Sequence, residues 1–137
     1  MSEASLEIVW RHYEAWNRRD LTAWVASFRS GAEIDWSRSR GPLKGVYRGR
    51  RELETFWDAF WSTFEDVRVE MHGLTELGSE VVVPNTAHIR GRQGIEVVAR
   101  STFVFTVVNG HISRFRLFQE QAEALEAARA HESESER

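Results

Sequence analysis

The chain has 137 residues, 42% of them hydrophobic, a formal net charge of −3 and no cysteine. That length supports one domain with a real core and is too short for two. The missing cysteine excludes disulfides, thiolate nucleophiles and cysteine-ligated zinc. Acidic residues concentrate after Glu120, so the body is near neutral and nucleic acid is not an expected partner. The opening MSEASLEIVWRHYEAW has neither a basic leader nor an uninterrupted apolar run. Neither a signal peptide nor a membrane span is therefore expected, and the expected location is cytoplasmic.

Leu6, Val9, Trp10, Tyr13 and Trp16 recur at helical spacing, and Asp20 reads as the N-cap of a second short helix carrying Leu21, Trp24, Val25 and Phe28. Ala32 to Trp36 predicts a strand, Gly41-Pro42 a loop, and Val46-Tyr47 a minimal strand ended by Gly49. The segment from Arg38 to Arg51 carries Arg38, Arg40, Lys44, Arg48, Arg50 and Arg51 with no acid among them. It admits three readings: anion recognition at a cavity mouth, pairing with acids of a partner subunit, or a solvated surface. Leu53, Phe56, Trp57, Phe60, Trp61 and Phe64 predict a third helix with a broad apolar face. Strands must cover that face, and they are expected around Val67 to Met71, Val81 to Ile89, Ile95 to Val108 and Ile112 to Gln119. Asn109-Gly110 signals a type I′ hairpin between the last two. Pro84 argues for an edge position or a bulge, which leaves the facing of the residues after it open. From Gln121 the chain is rich in alanine and glutamate, helical at first and expected to fray by His131. Residues 1–130 are thus expected to form the domain and 131–137 an acidic tail.

Helices followed by a run of strands predict an α+β fold in which a curved, cone-shaped mixed β-sheet wraps around the N-terminal helices and leaves a conical cavity. This order, with YEAWNRRDL near the start, AEIDW on the first strand, GVYRGRRELETFW opening the third helix and the closing FTVVNGHISRFRLF hairpin, resembles the nuclear transport factor 2-like superfamily. Within it the chain is most similar to the SnoaL-like group. The resemblance implies a cystatin-like cone and a homodimer through the convex sheet face, here Val98, Arg100, Thr102, Val104, Arg114, Arg116 and Phe118. The superfamily includes ketosteroid isomerases, polyketide cyclases, dehydratases, epoxide hydrolases and non-catalytic modules. Where ketosteroid isomerases carry an aspartate base and two oxyanion donors, this chain has Trp36, His12 and Ser101. The acid of the resembled cyclases falls near Leu117, and of the epoxide hydrolases' Arg/Asp network Arg100-Ser101 keeps only the arginine. Each of these mechanisms lacks a member.

Two residues remain as proton-transfer candidates. Asp35, the only aspartate on a predicted strand, falls by alternation on the face opposite Trp36, where it could pair with Arg114 or Arg116. A bulge that turned it inward would make it the natural general base. His12 matches a pocket-facing helix position and could donate to a carbonyl or shuttle a proton near neutral pH. Trp36 and Trp57 are expected to sandwich a flat ligand, with Trp16 and Trp61 nearby, Phe103, Phe115 and Leu117 completing an apolar wall, and Asn85, Ser101 and Gln119 adding neutral hydrogen-bonding groups. His72, His88 and His111 show no ligand-like spacing, so no metal and no cofactor are expected. Two readings stay open: an acid/base isomerase, cyclase or dehydratase acting on an apolar or aromatic ligand, and a non-catalytic ligand-binding or dimerisation module.

Overall fold

The computed structural model describes residues 3–135, with side chains described to residue 131. Helix α1 (Glu3–Asn17) and the short α2 (Leu21–Ala26) come first, and the Asp20 side chain caps α2 by accepting from Ala23 N at 3.0 Å. Strands β1 (Phe28–Asp35) and β2 (Val46–Arg48) flank the basic loop, and α3 (Gly49–Thr63) follows. Strands β3 (Phe64–Met71), β4 (Thr75–Leu77), β5 (Glu80–Gly91), β6 (Glu96–Val108) and β7 (His111–Phe118) precede a final helix, α4 (Gln121–Ser135). The stretch expected to fray from His131 is helical to Ser135, and residues 136–137 lie outside the described residues. Among the described residues no helix is long and apolar enough to cross a membrane.

The sheet runs β2-β1-β7-β6-β5-β3, with β4 paired to β5 beyond the end of β3. It is mixed because β1 lies parallel to β7 while the other pairs are antiparallel. Register shifts between Phe28 and Glu33, where Gly31 has φ 76°, and between Thr106 and Val107 bend the strands. The result is a curved, unclosed sheet whose concave side holds α1 to α3. Asn109 and Gly110, with φ of 51° and 77°, form the expected tight turn between β6 and β7.

Pro84 sits inside β5 without breaking it. Its carbonyl accepts from His72 N at 2.8 Å, so its missing N–H points to the same side, into the gap where β3 has ended and β4 has not begun. No ladder donor is lost, and β5 pairs with β6 without a shift from Glu80 to Arg90. The facing after Pro84 is therefore fixed: Asn85, Ala87 and Ile89 share the concave side, and His88 falls on the convex one.

The core lies between the concave face and α1 to α3, with Trp24, Ile34, Leu53, Phe56, Phe105 and Ile112 among its fully enclosed members. The exposed edge of β3 is tied to α1 by side chains: Asn17 exchanges two hydrogen bonds of 2.9 Å with the Val69 backbone, and Trp16 Nε1 donates to Val67 O at 3.1 Å. On the convex side α4 covers Val82, Val104 and Phe118 with Ala124 and Ala128. That placement corrects the expected interface. Thr102, Val104, Arg116 and Phe118 are buried within the chain, leaving Val98, 63% exposed, as the open apolar part of the strip.

Candidate functional site

A cavity of about 400 Å³ opens between α1, α3 and the concave sheet face. Helix α1 supplies His12, Tyr13 and Trp16, α3 supplies Phe56 and Phe60, Trp36 comes from just beyond β1, and the strands supply Ala99, Ser101, Phe103, Phe115 and Leu117. The basic loop contributes Ser39 to Pro42, and Gln119 lies beside it, donating from Nε2 to Arg38 O at 2.8 Å. Of the expected binding residues, Trp16, Trp36, Ser101, Phe103, Phe115, Leu117 and Gln119 are brought together here. Among the described residues no carboxylate lines the wall.

Trp57, Trp61 and Asn85 do not line it. Trp57 is packed against Trp16 and Trp24 at ring separations of 5.2 and 5.1 Å, and Trp61 against Trp16 at 4.9 Å with the Arg19 guanidinium 4.0 Å over its ring. The geometry of α3 explains this: one residue further along a helix turns the side chain by about 100°, so Phe56 and Phe60 face the cavity while Trp57 and Trp61 face the other helices. In place of the expected pairing with Trp57, Trp36 meets Phe56, Phe60, Phe103 and Phe115, all with ring separations of 5.2 to 5.8 Å. Phe56, Phe60 and Tyr13 were not singled out from sequence, where they read only as members of apolar helix stripes.

Asn85 stands behind the wall as a connector. It accepts from Tyr13 OH at 2.8 Å and donates from Nδ2 to both Ser101 O and Ser101 Oγ at 2.9 Å. Burial raises the Tyr13 pKa well above its usual range, so the phenol stays protonated and its proton belongs to Asn85.

His12 is 4% exposed and ringed by Tyr13, Trp24, Phe28, Phe105 and Phe115. Desolvation in that apolar setting lowers its pKa from 6.5 to about 3. The ring is therefore neutral at physiological pH rather than poised to shuttle protons there. Its Nδ1 lies 3.3 Å from Ser27 Oγ, the C-cap residue of α2.

Asp35 is absent from the cavity wall, as strand alternation required, but its partners differ from those expected. Arg114 bonds Glu33 at 3.1 Å and Arg116 bonds Glu80 at 2.7 Å. Asp35 instead accepts from the Ser37 amide and hydroxyl at 3.0 and 2.5 Å, with Arg38 at 3.5 Å. The short Asp side chain closes a local turn two residues on before any more distant cation can compete. Burial pushes its pKa up, but the Ser37 hydrogen bonds and the Arg38 and Arg114 charges outweigh it and hold the carboxyl below the usual range. The basic segment is paired within the chain in part: Arg38 pairs with Asp35, Arg48 with Glu33 at 2.7 Å and Arg50 with Glu54 at 3.6 Å, whereas Arg40 lines the cavity. Among the described residues no group of three or more histidine, aspartate or glutamate side chains could hold a metal ion.

A profile of the SnoaL-like domain matches residues 9–115. The chain belongs to the SnoaL-like family. It shares the fold of the wider nuclear transport factor 2-like superfamily, as its solved neighbours show. TerC, co-crystallised with polyporic acid, is 16% identical with a TM-score of 0.78 over 93% of this chain and 99% of that one. An NTF2-like protein of unknown function from Burkholderia pseudomallei K96243 is 24% identical, with a TM-score of 0.77 over 92% of this chain and 97% of its own. Rv0760c from Mycobacterium tuberculosis, in complex with estradiol-17β-hemisuccinate, is 16% identical, with a TM-score of 0.75 over 87% and 95% of the respective chains. No curated protein matches the chain significantly. At these identities the neighbours establish the fold and carry no chemistry across.

Proposed function

We propose that this SnoaL-like protein binds a small, largely apolar or aromatic molecule in the cavity between α1, α3 and the concave sheet. The observation that carries this reading is the wall itself: about 400 Å³ bounded by Trp16, Trp36, Phe56, Phe60, Phe103 and Phe115, with a few neutral polar groups, Arg40 and Arg100 as the lining cations, and no lining carboxylate among the described residues. Volume and lining both fall in the range of pockets for small organic ligands. Two neighbours crystallised with small organic molecules support the same use of the fold.

An acid/base isomerase, cyclase or dehydratase reading would have to run through His12, because Asp35 lies outside the cavity. With its pKa held near 3, His12 is a weak base and is not in the imidazolium form that could act as an acid at neutral pH. Binding is the function the geometry supports. A homodimer would use the part of the convex face around Val98 that α4 leaves open, and a monomer in sedimentation at micromolar concentration removes that part of the proposal.

A thermal-shift screen against planar aromatic ketones, alcohols and acids tests the binding reading. A ligand at one hundred times its Kd stabilises the native state by about 2.7 kcal/mol. A shift that is lost in Phe103→Ala supports the assigned cavity, and one that survives unchanged places the ligand elsewhere.

A further inference from the structure

The hydrogens of the cavity's polar groups can be assigned by following each donor to its acceptor. The Ser27 hydroxyl donates to Trp24 O at 2.6 Å, and a hydroxyl has only one proton. Toward His12 Nδ1 it can therefore only accept, so Nδ1 carries the ring proton. In a neutral imidazole the other nitrogen is then a bare acceptor; the one hydrogen bond of His12 among the described residues is at Nδ1, and Nε2 is not among the fully enclosed unpaired atoms, which leaves it open to the cavity that His12 lines. The same accounting on the Tyr13, Asn85 and Ser101 group gives the opposite polarity. Tyr13 commits its proton to Asn85 Oδ1, Asn85 commits Nδ2 to Ser101, and Ser101 Oγ, an acceptor in that bond, retains its own hydroxyl proton.

We infer that the cavity selects an apolar ligand carrying a hydroxyl, alcohol or phenol, whose proton is accepted by His12 Nε2. The inference rests on the ligand-binding reading above and adds the chemical class of the ligand. A ligand whose only polar group near His12 is a carbonyl or ether would set lone pair against lone pair and leave a desolvated acceptor unpaired. A second oxygen on the ligand can accept from Ser101.

Isothermal titration calorimetry at neutral pH with 2-naphthol and its methyl ether, 2-methoxynaphthalene, tests this, because the two probes share the aromatic body and differ in the donor. In the wild type 2-naphthol should bind about tenfold tighter, the worth of one hydrogen bond to a buried acceptor. In His12→Phe the gap should close to within about twofold while the ether still binds. Equal affinities in the wild type, or a gap that persists in His12→Phe, overturn the inference and leave the apolar cavity standing. If neither probe binds, the binding reading fails and the inference falls with it. Independently of any variant, nitrogen-15 correlation spectra of the imidazole must show His12 protonated at Nδ1 alone, and a proton on Nε2 overturns the assignment.

Discussion

His12 makes the folded state sensitive to mild acid in a way that can be worked out from its burial. In the unfolded chain its imidazole titrates at the ordinary value of 6.5, whereas in the folded state desolvation holds it at about 3. Between those values the unfolded chain binds a proton that the folded chain refuses, so unfolding is favoured as pH falls. The stabilising contribution is fully present above 6.5, is lost progressively below it, and stops changing below about 3. At pH 7.5 the two states bind nearly the same fraction of a proton there. By pH 5 the unfolded chain is almost fully protonated at this position, and the linkage relation gives a loss of about 2 kcal/mol.

That figure is isolated by comparison with a variant that cannot titrate. Urea unfolding of the wild type and of His12→Gln at pH 7.5 and pH 5 gives two differences, and the remaining histidines and carboxylates contribute equally to both. The wild type should lose about 2 kcal/mol more than the variant over that interval. Parallel losses would refute the claim that His12 is held neutral by burial, and with it the case against His12 as an acid at neutral pH.

Four further outcomes follow from the structure. Tyr13→Phe removes the donor to Asn85 Oδ1 and should destabilise by about 1–3 kcal/mol in urea unfolding, with the ether probe still bound. Asp35→Asn should leave 2-naphthol affinity unchanged in calorimetry and lower stability by about 1 kcal/mol, since the carboxylate serves the Ser37 turn and not the cavity. Glu80→Gln leaves the Arg116 guanidinium, 6% exposed beneath α4, without its carboxylate, and should cost about 3–5 kcal/mol by urea unfolding. Replacing Glu80 and Arg116 together by methionine should cost far less than Glu80→Gln alone, because no buried charge is then left uncompensated.

The fold was legible because its signals are local and periodic. Asp20 capping α2, the Asn109-Gly110 turn and the alternation along β5 to β7 each follow from one residue's conformational preference or from a two-residue period. The site was legible on α1, whose His12 and Trp16 line the cavity as expected, and where strand parity decides which side a residue faces: Trp36, Ser101, Phe103, Phe115 and Leu117 all reach the wall that parity assigns them. On α3 parity gives no help. Phe56, Trp57, Phe60 and Trp61 make one apolar stripe wide enough to meet both the cavity and the other helices, and only the position of α1 and α2 divides it. Asp35 was placed on the correct face with the wrong partners, because a turn two residues away outcompetes cations reached across the sheet.

The convex face shows the limit of such reasoning most directly. Val82, Val104 and Phe118 form an apolar strip, and an apolar strip on the outer side of a sheet implies a cover without saying whose. A second copy of the chain and the chain's own α4 satisfy that demand equally well in sequence terms. The decision is made by side-chain size: Ala124 and Ala128, one helical turn apart and both fully buried, let the backbone of α4 approach the sheet closely enough to enclose the strip. The Arg116–Glu80 pair beneath the same helix then has to be desolvated with it, which ties a buried charge pair to the docking of α4. The covering helix thus leaves Val98 as the open apolar part of the convex strip, and it leaves the cavity on the opposite face of the sheet untouched.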